Sequence, residues 1–120
     1  MGSRGLSAAI LVVLASVGAA SQPATYPVQR IADGDTVVLQ TIGTVRLIGV
    51  DTPETVDPRE PVQRFGRESA AFLRKMLDGQ SVRVEYDQQR LDKYRRTLAY
   101  LYLPDGTFVN LEIVRQGYCC

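Results

Sequence analysis

The sequence predicts an α+β fold that is mainly β and consists of one domain. Its 120 residues are 45% hydrophobic and 22% charged, as is typical of a single soluble globular domain. Runs rich in Val, Ile, Leu and Thr are separated by turn sequences over residues 28–50, and strand-like alternation returns over residues 82–102. Between these two regions, the hydrophobic residues recur at helical spacing.

Three strands are predicted before the helix, at residues 28–32, 36–40 and 44–50. The turn sequences Asp-Gly-Asp (33–35) and Thr-Ile-Gly (41–43) separate them, so the strands should form two successive hairpins. Residues 51–61 should form a loop, because their three prolines cannot lie inside a central strand.

A helix is predicted over residues 65–77, where Gly79 is a candidate C-cap. Its apolar residues recur at helical spacing: Phe65, Phe72, Leu73, Met76 and Leu77. Alternation then predicts strand four around residues 82–86 and strand five around residues 98–102.

A turn at residues 104–106 precedes a short second helix, residues 111–116, which Asn110 should cap and Gly117 should end. This order predicts a five-stranded OB-type barrel, with one helix between strands three and four and a short C-terminal helix.

Residues 1–20 are predicted to be a signal peptide. Arg4 is their only charge, and the apolar run at residues 6–20 is shorter than the roughly 18 to 20 residues that cross a membrane. An uncleaved membrane anchor is the alternative. Cleavage after Ala20 would leave a leader (21–27) and one domain (28–120) in a secreted or periplasmic protein.

The composition excludes several kinds of chemistry. The chain has no histidine, which excludes a histidine general base and the usual imidazole-bound metal centres. Its only cysteines, Cys119 and Cys120, are adjacent, so there is no disulfide framework or spaced thiolate site. Basic and acidic residues nearly balance, at 14 and 13, so anion binding must come from a local cluster. Carboxylate, arginine and hard-metal chemistry remain.

Three segments carry such residues: 33–36, 46–54 and 92–96. Each also has a plain structural interpretation, respectively as a common turn, a loop with local capping bonds and a solvated charge run. Strand alternation places Arg46 on one face with Ile48 and Val50, so this arginine should lie in a recess among residues that face the core.

Taken together, the segments describe a site. Asp35 and Asp51 are hard oxygen ligands that suit Ca²⁺. Arg46 and Arg96 are suited to gripping a phosphate through paired hydrogen bonds. Glu54 is then the natural base to take a proton from an attacking water.

Four segments in order make the sequence recognisable: IADGDTVVL, VRLIGVDTPET, QRFGRESAAFLRKML and LDKYRRTLAYLYLPDGTFVNLEIVRQGY. The chain resembles the thermonuclease, or staphylococcal-nuclease-like, family of secreted calcium-dependent nucleases. The resemblance implies Asp35, Asp51 and the Thr52 carbonyl as calcium ligands and Glu54 as the holder of a bound water. It also implies Arg46 and Arg96 as catalytic arginines, and Lys93 and Tyr94 as contacts to the terminal phosphate of a nucleotide.

The resemblance further implies cleavage of single-stranded or denatured DNA and RNA to 3′-phosphates. No stable protein partner is expected and, after signal cleavage, no membrane association. Two features depart from the family: Arg95 stands where the family has Gly, and the family's C-terminal extension past Gly117 is missing. An Arg at a position that needs positive φ would cost roughly 1 to 2 kcal/mol or reshape the loop. The alternatives are a catalytically inactive OB-type nucleic-acid-binding module and a truncated, non-functional family member.

Overall fold

The strands of the protein close into a barrel. The structure, a computed structural model, describes residues 22–50 and 64–118. The described elements are β1 (Thr25–Asp33), β2 (Thr36–Leu39), β3 (Gly43–Leu47), α1 (Arg64–Leu77), β4 (Ser81–Glu85), β5 (Thr97–Tyr102) and α2 (Val109–Arg115). The five strands form a closed barrel in the order β1-β2-β3-β5-β4. The predicted OB-type α+β architecture is confirmed.

Several predicted features lie outside the described residues. These are the signal peptide at residues 1–20, the proline-rich loop at residues 51–61, and Cys119 and Cys120. Within the part of the chain that the structure describes, no helix is both long enough and apolar enough to cross a membrane.

The hydrophobic core fills the inside of the barrel and extends to the interfaces between the barrel and the two helices. Inward-facing residues of the strands alternate with outward-facing ones, as Val45 and Leu47 show on β3, where both are fully buried. Helix α1 packs against β1 and helix α2 against β5. Among the described side chains, each helix adds two fully buried apolar ones to the core: Leu73 and Leu77 from α1, and Val109 and Ile113 from α2.

Two strands have an end that lies three residues away from the predicted one. Strand β1 begins at Thr25 because residues 25–27 pair with β4, so the predicted leader (21–27) includes three strand residues. Strand β3 ends at Leu47 rather than at residue 50, because Gly49 turns the chain with φ +79.

The predicted cap of the second helix is wrong. Phe108 is the N-cap residue of α2 and makes no side-chain capping bond, while Asn110 lies within the first turn. The Asn110 side chain is 3% exposed and is used for tertiary hydrogen bonds instead. Gly117 follows the helix with φ +77, as expected for a C-terminal glycine.

Candidate functional site

A cleft of about 750 Å³ opens where the end of β3 meets the long loop between β4 and β5. It is lined by the end of β3 and the turn after it (residues 46–50), by residues 87–89, and by residues 92–94, 96 and 98. Four predicted site residues therefore come together from two distant parts of the chain: Arg46, Lys93, Tyr94 and Arg96.

Arg46 points out of the barrel into this cleft. Its neighbours Val45 and Leu47 are fully buried in the core, so strand alternation directs Arg46 to the opposite face. The prediction that Arg46 shares a face with core residues was wrong, because β3 ends before Ile48. Nevertheless the side chain does lie in a recess, with 20% of its surface exposed.

The Arg46 guanidinium is held on several sides. Its Nη1 donates to the carbonyl of Leu47 at 3.2 Å and to the carbonyl of Val50. Its Nη2 lies 3.3 Å from Oδ2 of Asp35. The strand and the turn that follows it therefore fix the direction of this arginine.

Asp35 reaches Arg46 because of the sheet register. It lies in the tight turn between β1 and β2, and the next residue, Thr36, pairs directly with Arg46 across β2 and β3. Asp35 is 8% exposed, and its Oδ1 accepts a hydrogen bond from the Thr36 hydroxyl at 2.8 Å. A buried carboxylate beside the cleft is the kind of hard oxygen donor that Ca²⁺ takes.

Three further predicted site residues lie outside the described residues. They are Asp51 and Thr52, which were predicted to bind calcium, and Glu54, which was predicted to act as the base. Within residues 22–50 and 64–118, no three His, Cys, Asp or Glu side chains form a group that would hold a metal. Asp35 is the one predicted ligand among the described residues, and its buried carboxylate is an oxygen donor of the kind that a calcium site needs.

Arg96 is held by a carboxylate that the sequence analysis missed. Its Nε donates to Oδ2 of Asp92 at 2.6 Å, and the other oxygen of Asp92 accepts the backbone N–H groups of Tyr94 and Arg96 at 2.9 and 2.8 Å. Burial raises the pKa of the Asp92 carboxyl, but these hydrogen bonds and the charge of Arg96 outweigh it, so the pKa lies below its ordinary value of 3.8. The sequence signal was an Asp four residues before an Arg.

Arg95 adopts the conformation that favours glycine. Its φ is +66, and its N–H donates to the carbonyl of Asp92 at 3.0 Å. This left-handed conformation costs about 1 to 2 kcal/mol for a residue with a side chain. The loop keeps its tight form, and Arg96 remains in the cleft beside Asp92.

Tyr94 and Lys93 form the mouth of the cleft. Tyr94 is 67% exposed, and its ring lies 5.1 Å from the Lys93 ammonium and 5.4 Å from the Arg96 guanidinium. An exposed aromatic ring beside two cations is suited to a ligand that carries both a flat ring and negative charge.

Two buried polar side chains tie the helices to the turns that carry the site. Ser69 of α1 donates to the carbonyl of Gly34 at 2.7 Å, next to Asp35. Asn110 of α2 donates to the carbonyl of Ile48 at 3.0 Å and accepts the N–H of Leu101 at 2.9 Å. No local sequence pattern marks either role, because both partners are distant in sequence.

Together, the barrel and its arginine-lined cleft define an OB-type domain with a site rich in carboxylate and guanidinium groups. The chain belongs to the Staphylococcal nuclease homologue family, which it matches over residues 44–120. The resemblance inferred from the sequence motifs is therefore confirmed.

The chain is similar to several nucleases. It is 49% identical over 96 residues to the thermonuclease of Staphylococcus intermedius, covering 78% of this chain and 56% of that protein. It is 47% identical over 96 residues to the thermonuclease of Staphylococcus hyicus, with the same coverage of 78% and 56%. It is 36% identical over 101 residues to endonuclease YhcR of Bacillus subtilis, covering 76% of this chain and 8% of that protein. The chain thus spans about half the length of its staphylococcal relatives.

Proposed function

We propose that the protein is a secreted, calcium-dependent nuclease that hydrolyses phosphodiester bonds of DNA and RNA to give 3′-phosphates. The observation that carries this proposal is the convergence of Arg46 and Arg96 on one cleft, each with a carboxylate beside its guanidinium. The nuclease names of the similar proteins support it further.

In this proposal, the two arginines bind the phosphate that is cleaved. A guanidinium presents parallel N–H groups that match phosphate oxygens, and its charge opposes the charge that develops on them during displacement. Among the described residues, Arg96 uses only its Nε for Asp92, and its two Nη groups make no hydrogen bond. These groups therefore remain available to a phosphate in the cleft.

Asp35, Asp51 and the Thr52 carbonyl would hold the calcium ion. When bound, the ion supplies positive charge next to the phosphate and helps to orient the attacking water. Glu54 accepts the proton of that water, since the chain has no histidine to do so.

Single-stranded or denatured nucleic acid is the proposed substrate. The exposed ring of Tyr94 offers a stacking surface for a base, and Lys93 offers a charge for a phosphate. Neither group reads a base edge, so little sequence preference is expected. Export through the signal peptide at residues 1–20 is part of the same proposal.

The proposal is tested by incubating the protein with denatured DNA in millimolar calcium or in a calcium chelator. Cleavage should require calcium and leave 3′-phosphate ends. Glu54→Ala should abolish it, whereas Glu112→Ala, which changes a carboxylate on α2 outside the cleft lining, should leave it unchanged.

Two outcomes would contradict the nuclease proposal. A protein that melts cooperatively and binds single strands without cleaving them would be an inactive binding module. A protein without a cooperative melt would be a family member that does not fold on its own and is not functional in this form.

A further inference from the structure

The loop after β4 carries an arginine–tyrosine pair at the rim of the cleft. The guanidinium carbon of Arg90 lies 3.8 Å from the centre of the Tyr86 ring. Residues 87–89, which lie between the two, line the cleft wall. Tyr86 is 40% exposed and Arg90 is also exposed, so a flat ring and a positive charge stand directly beside the wall.

A second arginine–tyrosine pair, Arg83 and Tyr102, provides a comparison for the pair at the rim. The guanidinium carbon of Arg83 lies 4.3 Å from the centre of the Tyr102 ring, but Arg83 is ion-paired with Glu85. The Tyr102 ring is also stacked on Phe108, with centroids 4.8 Å apart, and none of these residues lines the cleft. Packing and local charge balance account for that pair.

Charge balance does not account for the rim pair. Over the described residues, no carboxylate lies within ion-pair distance of the Arg90 guanidinium. An exposed arginine that lies on an exposed ring, with no acidic partner, is a surface that attracts an anion carrying an aromatic group.

The base of the loop is anchored to β5. The Tyr100 hydroxyl donates to Oδ2 of Asp87 at 3.2 Å, and the N–H of Leu98 donates to the carbonyl of Arg90 at 3.0 Å. The rim pair is thereby presented from a fixed backbone, which lowers the entropy cost of binding to it.

We propose that Tyr86 and Arg90 form a further nucleotide-binding position for single-stranded DNA or RNA that extends beyond the cleft. A base stacks on Tyr86 and a neighbouring phosphate contacts Arg90. A volume of about 750 Å³ suits a ligand of small-molecule size. OB-type barrels engage roughly 4 to 16 nucleotides, so a bound strand extends beyond the cleft, and the pair beside residues 87–89 offers it a next contact. This inference rests on the proposed nuclease function.

Substrate length separates this position from the cleft itself. Tyr86→Ala should raise KM at least about fivefold for an oligonucleotide of 12 nucleotides, since stacking of one base is lost. The kcat for that substrate and the KM for a dinucleotide should stay unchanged, because neither depends on the rim. Tyr86→Phe keeps the ring and should behave like the unaltered protein.

Salt dependence tests the charge. The logarithm of the affinity falls as the logarithm of the salt concentration rises. Arg90→Gln should make this negative slope shallower by about 0.7 for a single strand, as expected for the loss of one phosphate contact. Arg83→Gln removes a guanidinium from the other pair and should leave the slope unchanged.

The outcomes separate the two proposals. Two results would overturn the rim position while the nuclease function stands, provided that the unaltered protein cleaves. In the first, the Tyr86 and Arg90 variants bind long strands as tightly as the unaltered protein does. In the second, the variants weaken binding of a dinucleotide as much as binding of a long strand. If the unaltered protein cleaves no nucleic acid at all, the nuclease proposal fails, and the rim position fails with it.

Discussion

Arg46 and Arg96 reach the same cleft by different structural means. Arg46 is fixed by a strand, through its pairing with Thr36 and the burial of Val45 and Leu47 on either side. Arg96 is fixed by a loop, through the carboxylate of Asp92. Changes around Arg46 should therefore act through the stability of the barrel, whereas changes around Arg96 should act locally on the site.

The largest expected effect comes from Arg96 itself. Arg96→Ala should lower turnover by at least about 100-fold, because it removes charge that opposes the developing charge on the phosphate. The melting temperature should fall by no more than it does in Asp92→Asn, since Asp92 keeps its bonds to the backbone N–H groups of residues 94 and 96. Arg74→Ala, on the exposed face of α1, is the matched control and should leave turnover unchanged. Turnover that is equal in the Arg96 variant and the unaltered protein would contradict this role.

The next largest effect is expected for Asn110, which supports the turn after β3 near Arg46. Asn110→Ala should lower the free energy of unfolding by at least about 2 kcal/mol, because it removes the side-chain partners of Leu101 N–H and the Ile48 carbonyl. Leu111→Ala, one residue further on and 45% exposed, should change it by less than about 0.5 kcal/mol. Urea denaturation measures both. Equal stability of the two variants would mean that Asn110 does not hold the turn.

Loss of the Asp92 carboxylate, which holds Arg96, should lower activity less than loss of Arg96 itself. Asp92→Asn should lower turnover about tenfold, the equivalent of ~1.4 kcal/mol between a charge-assisted and a neutral hydrogen bond.

Acidification gives a separate readout for Asp92. Its folded-state pKa lies below the ordinary value of 3.8, so its contribution to stability is complete above that pH and is lost as the pH falls below it. The difference in melting temperature between the unaltered protein and Asp92→Asn should therefore shrink below about pH 3.8. A difference that persists or grows in acid would contradict the assignment.

The smallest expected effect concerns backbone conformation. Arg95→Gly should raise stability by about 0.5 to 1 kcal/mol, as relief of the left-handed conformation outweighs the added freedom of the unfolded chain. Thr41, with φ +73 in the β2–β3 turn, offers a matched site that does not line the cleft. Thr41→Gly should be stabilising to a similar extent without changing turnover. Loss of stability in Arg95→Gly, measured by thermal melts, would show that this conformation carries no strain.

The sequence predicted features that depend on local patterns. Strand alternation and turn residues predicted the barrel, and the residue types of three segments, together with the family resemblance, predicted Arg46 and Arg96 as site residues. Features that depend on tertiary partners were missed: Asp92 is ordinary in a charge run, and Asn110 has the same sequence signal whether it caps a helix or binds a distant carbonyl. The face of Arg46 was misjudged because Gly49 ends β3 early.

The central claim is that the two arginines act together on one phosphate. Arg46→Lys and Arg96→Lys, singly and combined, keep the charge but remove the paired N–H groups, and turnover of denatured DNA in calcium measures the loss. Residues that act as a unit give non-additive losses, so the double variant should be little worse than the poorer single variant. A double variant whose loss equals the product of the two single losses would show that the arginines act independently and would contradict the account.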